Sequence, residues 1–143
     1  MKPKLQYPMI SCQDLTESRR FYCSLGYITL FASENYAQMV WPENQAVQIG
    51  LITPPRASAP LPFLTEYRGG LFLGFEVEDV DGLYASLTAK GIEITLELED
   101  GPWGQRHFAV MDPNGVVLDF NMAQPEAQNS FADTVRAVAP IAA

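Results

Sequence analysis

Apolar residues along the chain follow two rhythms, alternation with period two and a helical spacing, and the succession of the two repeats. "DLTESRRFYCSLGY" (14–27) and "DVDGLYASLTAKGI" (79–92) each open with Asp, run eleven residues and reach a Gly. Asp14 and Asp79 are N-cap candidates, and Glu17 completes a capping box with Asp14. Gly26 and Gly91 stand where a left-handed residue ends a helix. An apolar stretch precedes each helix, "YPMISC" in one half and "GGLFLGFEV" in the other. Strand-like runs follow: "YITLFAS", "YAQMVW" and "AVQIGLIT", then "IEITLELE", "RHFAVM" and "VVLDFNM". The order strand–helix–strand–strand–strand thus occurs twice, and units that cannot bury their own faces are expected to pair. This predicts one domain over 1–122, built from modules 5–53 and 70–122.

The segment between the modules, 54–69, lies in a proline-rich stretch that reads as an extended connection or a partly ordered flap. In the tail, 123–143, Ser130 with Asp133 resembles a capping box. Phe131, Val135 and Val138 share one helical face there, so a short terminal helix is expected.

"DPNGVVLDF" (112–120) runs a turn into a strand. Asp-Pro-Asn-Gly suits a type I turn, and Val116, Val117, Leu118 and Phe120 suit a buried strand. Asp119 then sits inside that strand, where desolvating a carboxylate is costly unless it meets water, a partner or a ligand. A three-residue loop with Gly115 closing a bulge would oppose Asp119 to Ala109 and Asn121 to His107. A two-residue loop would turn Arg106 and Phe108 to that face instead. The bulged register is the expectation.

Charge narrows the partners. Seventeen acidic against nine basic residues give −8, which argues against nucleic acid. No apolar run approaches the roughly 20 residues of a membrane span, and the first residues lack a secretory core. The expected compartment is the cytoplasm, where Cys12 and Cys23 would stay reduced. Two Cys and one His cannot build a four-ligand Cys/His zinc site.

The doubled βαβββ order, the helix "SRRFYCSLGY" and above all "GPWGQRHFAVMDPNGVVLDF" resemble the vicinal-oxygen-chelate superfamily. It includes glyoxalase I, extradiol dioxygenases, fosfomycin-modifying enzymes and bleomycin-resistance proteins. The resemblance covers about residues 5–122. It implies an α+β fold of two βαβββ modules pairing into a curled mixed sheet around a ligand cavity. Its metal enzymes keep His, Glu or Gln, His and Glu at four strand positions. Counted from Asp14 and Gly115, these positions fall on Tyr7, on Gly50 or Gln48, on Phe72 and on Asp119. A phenol is a poor ligand at neutral pH, and Phe72 and Gly50 offer no donor. The expectation is no metal and no cofactor.

Alternation puts Val117 and Asn121 on Asp119's face. Gly74 and Glu76 join it from the strand of Phe72. Tyr7, Met9 and Ser11 join from the first strand, with Ala46, Gln48, Gly50 and Ile52 from the fourth. The aromatics Tyr7, Tyr36, Trp41, Phe63, Tyr67, Phe72 and Trp103 line the cavity or belong to the core, and Trp103 is placed at its entrance. "IEITLELED" alternates, so Ile92, Ile94, Leu96 and Leu98 should face inward. Glu93, Thr95, Glu97 and Glu99 should face out as an acidic strip, either a solvated strand face or a cation-attracting rim.

These readings favour a metal-free binding protein of the bleomycin-resistance type, sequestering an aromatic or cationic compound, with antibiotic resistance as a role. Ligand contacts fall on Tyr7, Met9, Gln48, Phe72, Glu76, Trp103, His107, Asp119 and Asn121. The resemblance also implies a homodimer. The alternative is a lyase, isomerase or dioxygenase-like enzyme with His107, Asp119 and Tyr7 as candidate acid–base groups. A third reading keeps a metal on displaced ligands, Asp119, Gln48, Glu76 and His107.

Overall fold

The computed structural model describes residues 1–53, 69–102 and 104–124. Phe63, Tyr67, Trp103, most of the linker and the expected tail helix lie outside the described residues. The chain divides into two compact units, Met1–Leu71 with Asp112–Val116, and Phe72–Met111 with the residues from Val117 on.

The first unit contains β1 (Met9–Ser11), α1 (Leu15–Leu25), β2 (Ile28–Ala32), β3 (Tyr36–Trp41) and β4 (Asn44–Ile52). The second contains β5 (Phe72–Glu76), α2 (Val80–Ala89), β6 (Ile94–Asp100), β7 (Gln105–Met111) and β8 (Val117–Ala123). Each unit is thus βαβββ, the order read from the two apolar rhythms. Its sheet is mixed and open, ordered β1-β4-β3-β2 in the first unit and β5-β8-β7-β6 in the second. The first and last strands of each unit run parallel, and every other neighbour is antiparallel.

Helix starts follow from the caps. Asp14 accepts the Glu17 N–H at 2.9 Å, and Asp79 accepts the Gly82 N–H at 2.9 Å. Each bond satisfies a donor that the first turn leaves without an intrahelical partner. α1 ends at Gly26, whose φ of 120° a side chain would strain.

In each unit the helix covers one face of the sheet. Ile10, Ala37, Met39, Ile49 and Leu51 are buried on the α1 side with Tyr22 and Leu25. Tyr22, Tyr27 and Trp41 continue that core edge-to-face, with ring centroids 5.7 and 5.2 Å apart. Trp41 is therefore a core residue that lies against Gly26 and does not line the opposite face. On the α2 side Tyr84, Phe108, Phe120 and Phe75 form a row of ring contacts. Complete burial of such side chains contributes roughly 1.5–3 kcal/mol each.

The 112–116 turn is held from within. Asp112 accepts the Asn114 and Val116 N–H groups, both at 2.8 Å, and its backbone N–H reaches Val116 O at 2.9 Å. Gly115 takes φ 89°, closing the bulged loop. The Tyr22 hydroxyl donates to Asp112 Oδ2 at 2.8 Å, so the turn's carboxylate is buried but paired. Burial, then the Asp112 charge, push the Tyr22 phenol far above its ordinary range, and burial raises Tyr27 as well. Cys12, also buried, is a free thiol raised chiefly by burial.

Candidate functional site

The face of each sheet turned away from its helix carries the polar and aromatic groups picked out above. In the second unit the register sets Asn121 opposite His107 and Asp119 opposite Ala109, the bulged arrangement. Gly74 pairs with Asp119 and Glu76 with Asn121 on the other side of β8. Phe72, Gly74, Glu76, His107, Asp119 and Asn121 therefore share one face.

Within this group the side chains are fixed to one another. His107 Nδ1 lies 2.7 Å from Asp119 Oδ1. The Asn121 amide donates to Asp119 Oδ2 at 3.2 Å. Both carboxylate oxygens of Asp119 are thus engaged, and its side chain is 23% exposed. Because a carboxylate only accepts, Nδ1 is the donor in this bond, and Nε2 lies 3.8 Å from Glu99 Oε1. Phe72 is 71% exposed, and a Cβ placed on Gly74 would meet no atom within 4 Å. An exposed ring and an open notch therefore adjoin the fixed carboxylate.

Glu99 was expected to point the other way. Two register shifts in β6, between Ile94 and Leu96 and between Leu96 and Glu99, change the parity and set Glu99 opposite His107. The acidic strip stays exposed, as expected, but several of its members have partners. Glu97 accepts a hydrogen bond from Tyr84 of α2. Asp100 pairs with Arg106 at 2.9 Å, and Arg106 also grips Asp81 at 2.9 Å. Hydrogen bonds to these two carboxylates raise the Arg106 guanidinium, and Arg106 in turn lowers Asp81. Burial nonetheless alternates as expected, with Ile92, Ile94, Leu96 and Leu98 half-buried and Glu93, Thr95, Glu97 and Glu99 exposed.

In the first unit Met9, Gly50 and Gln38 stand in one cross-strand row, with Ser11, Ile52 and Tyr36 in the next. The Tyr36 hydroxyl hydrogen-bonds Gln38. Gln38 Nε2 donates to Gln48 Oε1 at 2.7 Å, and Gln48 Nε2 donates to the Gln45 carbonyl at 2.7 Å. Tyr7 hydrogen-bonds Tyr36, whose phenol is raised first by burial and then by that neighbour. Gln38, only 8% exposed, went unnoticed in the sequence. Its signal was a lone amide between the apolar Ala37 and Met39, opposite Gly50.

The structure thus joins Phe72, Glu76, His107, Asp119 and Asn121 on one sheet face, and Tyr7, Met9 and Gln48 on another. Tyr7 belongs to the first unit and the His107–Asp119 pair to the second. The donor set does not fit a divalent ion. Tyr7, Gly50 and Phe72 hold three of the four inherited positions, and Gln48 is committed at both ends of its amide. Among the described residues no group of three or more His, Cys, Asp or Glu could hold a metal. No helix among them is long and apolar enough to cross a membrane.

A protein-family model described as Glyoxalase/Bleomycin resistance protein/Dioxygenase superfamily matches residues 4–120, and the chain belongs to that superfamily. A glyoxalase/bleomycin resistance protein/dioxygenase from Nocardioides is 24% identical, covering 87% of this chain and 85% of its own, with a TM-score of 0.71. A bleomycin-binding protein solved in complex with bleomycin is 17% identical, over 85% of this chain and 100% of that one, with a TM-score of 0.63. A superfamily member from Sphaerobacter thermophilus DSM 20745 is 24% identical, over 85% and 98%, with a TM-score of 0.63. These likenesses establish the shared fold. No curated protein matches the chain.

Proposed function

We propose that the protein binds a small aromatic, cationic compound and releases it chemically unchanged. The observation that carries this reading is the state of Asp119. At the position where the resemblance implies a metal-holding Glu, a carboxylate is clamped by His107 and Asn121 beside the exposed ring of Phe72. A fixed negative group next to an aromatic surface and an open notch suits a flat cation. Glu76 and Glu99 at the two ends of the same row, and the net charge of −8, favour the same sign of ligand. A structural neighbour that binds bleomycin adds support, extended to this chain only as a proposal. In this reading the protein is a cytoplasmic homodimer that lowers the free concentration of a toxic compound and so confers resistance.

The test is a thermal-shift series with aromatic cations, bleomycin among them. The midpoint should rise with ligand concentration while mass spectrometry recovers the ligand intact. No shift with any of them would refute binding.

A second reading has its own observation. Asp119 holds His107 through Nδ1 with Nε2 facing Glu99 Oε1 at 3.8 Å, a carboxylate–imidazole arrangement that suits proton transfer. Such an enzyme, a lyase, isomerase or dioxygenase-like member of the superfamily, would return altered ligand and lose turnover in His107→Ala.

A further inference from the structure

Two donors hold Asp119, and they fix both the plane of its carboxylate and the acceptors left on it. His107 Nδ1 reaches Oδ1 at 2.7 Å, and the Asn121 amide reaches Oδ2 at 3.2 Å. A carboxylate can only accept, so both partners must donate here, whichever way the amide was first oriented. The same step turns Asn121 Oδ1, itself an acceptor, away from Asp119. An ionised carboxylate offers about four lone-pair sites. One on each oxygen is taken, and one on each oxygen remains. Two adjacent acceptors in a fixed plane are the counterpart of a planar fork of two parallel N–H groups.

The surroundings suit the rest of such a ligand. Gly74 pairs with Asp119 and leaves the space beside the carboxylate open, since a Cβ built there would meet no atom within 4 Å. Phe72 stands two residues earlier on β5, on the same face and roughly 6.6 Å away along the strand. Its ring is exposed, and a flat cation lying over it can bring its nitrogens to Asp119. Arg106, the one arginine among the described residues of the second unit, is committed to Asp81 and Asp100 and does not compete for the carboxylate.

We infer that Asp119, clamped by His107 and Asn121, selects a planar N–C–N cation carried on an aromatic ring, an amidinium or guanidinium, over an ammonium of equal charge. An ammonium is a compact point charge that one oxygen satisfies, whereas the fork needs both oxygens held in one plane. The inference rests on the binding function proposed above and adds the chemical class of the group recognised. His107 and Asn121 are positioning residues: they hold the carboxylate plane and need not touch the ligand.

Benzamidinium and benzylammonium each carry a single positive charge on a single phenyl ring and differ in the fork. Calorimetric titration of the full chain should show benzamidinium binding about tenfold more tightly, as one further charge-assisted hydrogen bond allows. Asp119→Glu keeps the charge but lengthens the arm, and Asn121→Ala removes one of the two clamps. In each variant the preference should fall to near unity, whereas a merely structural loss would weaken both probes alike. Should Asn121→Ala fail to fold, Asp119→Glu decides alone, at a side chain that is partly exposed. Equal affinity of the wild type for both probes would overturn the inference and leave the binding function standing. So would an undiminished preference in the folded variants, or binding of larger aromatic cations but of neither probe. A chain that binds no cation at all would remove the inference together with the reading beneath it.

Discussion

His107 and Asp119 sit diagonally across the β7–β8 ladder, joined by a 2.7 Å bond that exists only because His107 pairs with Asn121 and Asp119 with Ala109. A slip of one residue would turn Arg106 to this face and break the pair. The five-residue turn Asp112–Val116 sets the register of the two strands it joins and so the pairing of His107 with Asp119.

Removing the charge at this pair while keeping its shape should isolate electrostatics. Asp119→Asn is expected to fold and to lose about tenfold in affinity for an aromatic cation, with a neutral aromatic hardly affected. Titration of both probes against both proteins checks it. Equal losses would point to disturbed geometry.

Gly74 borders the same carboxylate with open space above its backbone. Gly74→Val should fold at least as well, since a β-branched residue suits a strand. It should nonetheless weaken cation binding, because the added methyls occupy the notch. Unchanged affinity in a stable variant would show that ligand does not use that space.

Tyr22 tests the structural half of the account. Tyr22→Phe deletes the bond to the buried Asp112 carboxylate and should cost about 1.5–3 kcal/mol, as hydrogen bonds to charged groups do. Urea unfolding at neutral pH measures this.

The raised phenols predict an alkaline limit with a definite sign. Unfolded tyrosines release protons near pH 10, whereas burial keeps Tyr22 and Tyr27 protonated in the native state beyond that pH. Above that point the native state binds more protons than the unfolded one, so stability falls as pH rises. Stability should be insensitive to these groups below about pH 9 and then decline by up to about 1.4 kcal/mol per pH unit for each phenol. In Tyr22→Phe the decline should be shallower. An identical slope in the variant would assign it to other groups.

Much of this was readable in the residues, and the failures share a cause. Paired Asp caps and closing glycines marked both helices, and Asp-Pro-Asn-Gly carried enough turn chemistry to choose the hairpin register that brings His107 to Asp119. In β6 the expected alternation of burial holds, but two register shifts that no turn residue announces set Glu99 opposite His107. Trp41 could not be placed by parity, because its strand shifts register at that residue and the ring folds against Gly26. Gln38 was overlooked because its importance arises across strands, through Tyr36 and Gln48, and sequence adjacency carries no trace of that.

The most direct trial of the central claim is calorimetric titration of the full chain with a panel of aromatic cations, followed by mass spectrometry of the recovered compound. Saturable binding of at least one, with the compound returned at its original mass and affinity reduced in Asp119→Asn, is the predicted result. A compound returned with altered mass under turnover, or a panel with no binder, would contradict it.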